Sequence, residues 1–201
     1  MRQSPLPDES QQPQRLDECR RCALWRNATQ AVGGAGPAHA AIMVIGEQPG
    51  DQEDLAGLPF VGPAGRLLDA AFAAAGLERD SVYVTNAVKH FKWTPRGKRR
   101  LHKTPVQAEI AACEYWLERE LASVAPRVLV ALGGTALKAV TRNAQATLKE
   151  AMAAPFRLEE RWVVACWHPS YVLRVPDAEA KARANAELVA ALRTAARMAQ
   201  A

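Results

Sequence analysis

Four short stretches of the chain each place chemically useful side chains just after an apolar run. They are Gly46-Glu47-Gln48-Pro49-Gly50-Asp51, Asn86-Ala87-Val88-Lys89-His90, Gly133-Gly134-Thr135 and His168-Pro169-Ser170. Together they offer a carboxylate, an amide, a histidine and glycines that admit close approach, which is the inventory of an active site. Helix capping is the plainer reading for Glu47 or Asp51, and for His168 it is a cap or a core position; Asn86 also suits a turn. Between residues 89 and 103 lie Lys89, Lys92, Arg96, Lys98, Arg99, Arg100 and Lys103 with no acidic residue, and Phe91 and Trp93 are interleaved. A one-signed run with aromatics among its charges suits contact with phosphates, and His102 is embedded in it. The four cysteines, Cys19, Cys22, Cys113 and Cys166, are candidates for metal binding or for core packing.

The elements that must position these groups follow from hydrophobic period and punctuation. Ala41 to Gly46, Val82 to Thr85, Arg127 to Leu132 and Trp162 to Cys166 read as buried strands. Helices are expected over Pro63 to Gly76, from Thr104 and Pro105 to about Ser123, over Gly133 to Arg142, and over Asp177 to Met198. Strand and helix in alternation predict an α/β fold, a mainly parallel four-stranded sheet with helices on both faces. In such sheets ligands bind beyond the carboxyl ends of the strands, where all four chemical stretches lie. The chain has 201 residues, 49% hydrophobic and 23% charged, which suits one folded domain over residues 15–201. Residues 1–14, rich in Pro, Gln and Ser, are expected to form a disordered tail. Nothing resembles a signal peptide or a membrane span, so the expected location is the cytoplasm, where disulfides are disfavoured. A net charge of +5 permits nucleic-acid binding without requiring it.

The stretches GEQPGDQEDLAGLPFVGPAGRLLD (46–69), VTNAVKHFK (84–92), GKRRLHKTP (97–105) and HPSYVLR (168–174), in that order, closely resemble the UdgX-type uracil-DNA glycosylases, relatives of the family-four enzymes. Three features favour that type: Gln48 where family-four enzymes usually carry Ala, His90 where they usually carry Cys, and the KRRLH segment, in which Leu101 replaces the more usual Ile. The resemblance implies a glycosylase-like α/β/α fold and excision of uracil from DNA. That reaction breaks a C1′–N bond through an oxocarbenium-like sugar and leaves negative charge on the pyrimidine.

On that resemblance His168 donates to the uracil O2 and Glu47 stabilises the sugar cation or positions the attacking group. Gln48 hydrogen-bonds near the sugar or the attacking group, and Asp51 belongs to the same substrate-binding loop. Asn86 pairs with the base edge through its amide, and Phe60 stacks on the base face. Apart from the resemblance, Leu173 or Tyr171 after the HPS stretch suits the space the extruded base leaves, and either suits the core equally. Lys89, Lys98, Arg99 and Lys103 contact DNA, and Arg100 orients the loop through a carboxylate or a phosphate. His102 attacks C1′ and leaves a covalent protein–DNA adduct. The partner so implied is uracil-containing DNA, single strands preferred, met by a monomer. Cys19, Cys22, His90 and Cys113 match the family's ligands to a [4Fe-4S] cluster, although their spacing alone suits zinc equally. Cys166 reads as packing. Two other readings remain at this stage: a conventional turnover glycosylase in which His102 meets phosphate, and a metal-bearing nucleic-acid-binding module without catalysis.

Overall fold

The structure is a computed structural model that describes residues 12–200. Most of the tail expected over 1–14 lies outside these residues, while Pro13 accepts a hydrogen bond from the Tyr115 hydroxyl. A central sheet has the order β2-β1-β5-β7-β6. Its strands are β1 (Ile42–Gly46), β2 (Tyr83–Asn86), β5 (Val128–Leu132), β6 (Phe156–Leu158) and β7 (Arg161–Cys166). The four expected strands are all present and parallel to one another. The count of four is corrected to five by β6, which pairs antiparallel to β7. Phe-Arg-Leu is too short to show a period, and the turn that joins it to β7 is only Glu159-Glu160, with Glu159 at φ 51°.

The apolar runs of β1 and β5 are buried along their whole length, as strands covered on both faces must be. Because side chains alternate across a strand, the two faces divide the core. Met43, Ile45, Leu129, Ala131 and Val163 face α3 (Gln107–Val124) and α4 (Gly133–Thr141), meeting Ile110, Leu117 and Leu137. Ile42, Val44, Val128, Val130 and Val164 face α2 (Pro63–Ala75) and α7 (Ala178–Gln200), meeting Leu68, Phe72, Leu188 and Leu192. Helix α2 begins with Pro63 in its first turn and stops at Gly76, φ 75°, as its sequence requires. Helix α3 starts later than Thr104, after Val106. The Glu109 carboxylate accepts from the Val106 N–H at 2.7 Å and closes its first turn.

Three elements near the strand ends are too short or too polar for periodicity to reveal. Helix α1 (Asp51–Ala56) follows β1 directly, and α6 (Pro169–Arg174) follows β7. The basic stretch is an antiparallel ribbon, β3 (Trp93–Arg96) and β4 (Arg99–His102), closed by Gly97 and Lys98 with Gly97 at φ 60°. Its register sets Trp93 opposite His102, so the histidine stands at the foot of a ribbon. Helix α5 (Leu148–Ala151) lies between α4 and β6.

Candidate active site

The carboxyl ends of β1, β2, β5 and β7 meet at one cleft of about 590 Å³, which joins a smaller pocket of about 200 Å³. Glu47 and Gly133 line the larger space; Phe60 and Asn86 line the smaller one. Gln48, His102, His168, Ser170 and Arg174 line both. Two glycines make this convergence possible. A Cβ on Gly46 would come within 2.4 Å of Asn86 Oδ1 and 2.6 Å of the Phe60 ring. Gly133, at φ 86°, joins β5 straight to α4, and a Cβ there would meet the His168 Cβ at 3.2 Å.

Within the small pocket Phe60 is buried and holds a left-handed backbone, φ 57°, a conformation that costs a non-glycine residue energy and is found at sites that need it. Its ring is stacked with His168, centroids 6.1 Å apart and planes 28° from parallel. Asn86 is buried, and its side-chain amide makes no hydrogen bond to the described residues, leaving a donor and an acceptor at the pocket wall. Its backbone carbonyl accepts from Lys89 Nζ at 2.8 Å.

His168 is the N-cap of α6. Its Nδ1 accepts from the Ser170 N–H at 3.1 Å, capping α6, and lies 2.8 Å from the Ser170 hydroxyl. An Nδ1 that accepts has no proton, so the neutral ring carries its proton on Nε2. Burial, with the charges of His102 and Arg174, pushes its pKa down to about 4 and keeps that ring neutral at neutral pH.

Glu47 is bound at both oxygens. Oε2 accepts from the Thr135 hydroxyl at 2.5 Å, and Oε1 lies 3.2 Å from His102 Nε2. The His102 side chain is 48% exposed, so it is open to a large ligand in the cleft. Burial lowers its pKa, the Glu47 carboxylate opposes that shift, and Arg174 adds to it. The net direction is below the usual histidine value, which leaves a lone pair on the ring at neutral pH.

The ribbon is held in place by residues that the sequence reading assigned to substrate. Gln48 donates from Nε2 to the carbonyls of Lys92, 3.2 Å, and Lys103, 3.1 Å, and accepts from the Lys92 N–H at 3.0 Å. Its amide thus bonds the backbone next to His102, the residue that the resemblance assigns as the attacking group. Arg100 donates from Nε to Asp51 at 2.6 Å and from Nη1 to the fully buried Asp54 at 2.5 Å. Its partners are thus carboxylates of α1, and Asp51 lines neither the cleft nor the pocket. The same guanidinium lies over Phe91 and Trp93, and Asp54 also accepts from the Thr29 N–H at 3.0 Å. A planar cation held by two carboxylates and two rings is a strut.

Lys89 is corrected more strongly. It is completely buried, and its Nζ donates at 2.7 Å to both Glu120 and Thr85, so it is not a DNA contact. Lys92 pairs with Glu109 at 2.8 Å. Arg96, Lys98, Arg99 and Lys103 remain exposed, and none of them forms an ion pair among the described residues.

The N-terminal cysteines are attached to α3. Cys19 Sγ accepts from Trp116 Nε1 at 3.1 Å, and Arg21 donates to the Ala112 carbonyl. Interaction with Cys113 pulls the Cys22 thiol down to about 7, and interaction with Cys22 together with burial raises that of Cys113. His90 is buried, and its Nδ1 is a buried side-chain atom with no hydrogen-bond partner among the described residues. Among the described residues, no three His, Cys, Asp or Glu side chains are gathered as closely as one metal ion needs. Cys166 is buried in the β7 core, which pushes its thiol up to about 12, as a packing residue should be. No helix among the described residues is long and apolar enough to cross a membrane. Sequence reasoning missed Thr135 as a Glu47 partner and Arg174 as a cleft residue; both stand inside stretches it quoted, but nothing in a sequence pairs them across the sheet.

Comparison with known proteins agrees with this geometry. The family model of the uracil DNA glycosylase superfamily matches residues 34–193. A Type-4 uracil-DNA glycosylase from Thermotoga maritima is 36% identical over 162 residues, 80% of this chain and 81% of that protein. One from Archaeoglobus fulgidus is 36% identical over 166 residues, covering 79% and 80%. A Type-5 uracil-DNA glycosylase from Pyrobaculum aerophilum is 32% identical over 143 residues, 64% of this chain and 60% of that protein. The matched span takes in every strand of the sheet and each wall of the cleft, and on it the chain belongs to the uracil-DNA glycosylase superfamily.

Proposed function

We propose that this protein excises uracil from DNA and then captures the abasic sugar through His102, as the UdgX type does. The observation that carries the reading is the pairing of His102 Nε2 with Glu47 Oε1 at 3.2 Å, at the junction of the cleft and the base pocket. In this reading the uracil lies on Phe60, with its edge against the Asn86 amide. The C1′–N1 bond breaks with its electron pair passing to the ring, and His168 donates from Nε2 to the oxygen where that charge gathers. A neutral imidazole is the right donor there, because its charge does not depend on pH near neutrality. Glu47 faces the sugar as it becomes cationic. A lone pair of His102 then forms the bond to C1′, and the ring proton passes to Glu47 or to solvent. In a turnover enzyme water occupies that place; here an accessible imidazole already stands beside the carboxylate.

The four exposed cations of the ribbon carry the DNA strand past the cleft, with Tyr171 and Leu173, both exposed on α6, beside the vacated base position. Single strands are the favoured substrate, because no pairing is lost when the base is extruded. Cys19, Cys22, Cys113 and His90 are proposed to hold a [4Fe-4S] cluster. The orphaned His90 Nδ1 and the adjoining Cys22 and Cys113 thiols fit such ligation. When bound, the cluster ties the N-terminal segment to α3 and takes no part in the excision.

Incubation with a uracil-containing single-stranded oligonucleotide tests the reading. Free uracil should appear in an amount no greater than the protein present, together with a protein–DNA band stable to denaturing electrophoresis. Uracil release far beyond that amount with no such band would replace trapping by turnover. Absence of any release would remove the glycosylase reading.

A further inference from the structure

We propose that Arg174 is the phosphate-binding residue of the cleft, gripping a backbone phosphate beside the extruded nucleotide; the proposal rests on the reading of this cleft as a DNA site. Arg174 ends α6 and lines both the cleft and the base pocket, as His102 and His168 do. Unlike Arg100, which Asp51 and Asp54 occupy, it forms no ion pair or hydrogen bond among the described residues, and it is exposed. A guanidinium at that position presents several donors in a plane that matches a phosphate.

The location of the charge strengthens the case. Arg174 lowers the proton affinity of His102 and His168, so its field reaches the atoms that react. With nothing bound, that field favours the neutral imidazoles the chemistry needs. The same field opposes a developing sugar cation, since like charges a few ångströms apart repel. A substrate phosphate on Arg174 removes this conflict, because the anion arrives with the sugar. The unpaired cation is therefore suited to the empty site and its compensation travels on the DNA. The exposed ribbon cations hold the strand at a distance, whereas Arg174 would register one particular nucleotide against His102.

The test pairs a protein change with a substrate change. Binding of a uracil-containing oligonucleotide is measured by fluorescence anisotropy, and uracil release under single turnover, for the natural strand and for strands with a neutral methylphosphonate on either side of the uracil. Wild-type protein should lose about tenfold in affinity for one of the two modified strands. Arg174→Gln should lose about as much on the natural strand and nothing further on that modified strand, with its salt slope reduced by about 0.7. Arg174→Lys should recover part of the loss, and an unchanged melting temperature separates these effects from misfolding. Losses that simply add, or an unchanged salt slope, would overturn the proposal. If wild-type protein releases no uracil while Arg174→Gln still lowers the slope, the phosphate site stands and the glycosylase reading fails.

Discussion

The two oxygens of Glu47 have different neighbours, and that difference organises the site. Thr135 donates to Oε2, which turns Oε1 toward His102. Thr135 touches no substrate in this account, so it is a positioning residue. Thr135→Val keeps the shape and removes the hydroxyl; it should slow uracil release and adduct formation by about tenfold, an effect of about 1.4 kcal/mol, with DNA affinity unchanged. Single-turnover rates beside a binding titration decide this, and a wild-type rate in the valine variant would show that Glu47 orients itself. The position of Glu47, Asn86 and His168 at one end of the sheet was legible in the sequence because each stands at or just beyond the carboxyl end of a strand. The Thr135 contact was not, since its partner lies 88 residues away. Lys89 shows the reverse failure: charge pattern reads it as exposed, whereas Glu120, reached only through the fold, accounts for its burial.

At the scale of elements, the β3–β4 ribbon divides its cations by task. Arg100, stacked over Phe91 and Trp93 and tied to α1, fixes the ribbon, and Trp93 Nε1 donates to the Asn27 carbonyl of the N-terminal segment. Gln48 clasps the other end at Lys92 and Lys103. Lys98 and Arg99 at the turn are left for solvent or DNA. Replacing Lys98 and Arg99 by Ala should therefore lower the salt slope of single-strand binding by about 1.4 while trapping on bound DNA continues. Arg100→Met should do the opposite, leaving the slope nearly intact and slowing adduct formation more than uracil release. Equal effects of the two changes on both readouts would mean that the ribbon acts only as a patch of charge. The sequence showed the charges of this segment but not its strands, because Trp93-Thr94-Pro95-Arg96 has neither an apolar period nor a residue pattern that marks an edge ribbon.

For the whole molecule, the parallel sheet was readable from its continuous apolar runs, and the ligand cleft followed from where those runs end. The fifth strand escaped because three residues carry no period. The N-terminal segment adds a second anchorage: Cys19 and Cys22 reach α3, which bears Cys113, and the ribbon lies in the chain between His90 and Cys113. A cluster on these four residues would fix the ribbon from behind. Cys113→Ala should lose iron and sulfide, measured per chain after anaerobic purification, and should melt at a lower temperature than the native protein; stoichiometric zinc without iron in the native protein would contradict the cluster. Excision is expected to proceed without His102, whereas trapping requires it, and His102→Ala separates the two, with uracil release and the denaturant-resistant band measured on the same samples. Uracil release with turnover and no band is the expected result, because water then reaches C1′ beside Glu47. A band that persists in His102→Ala, or a variant that neither traps nor releases uracil, would contradict it.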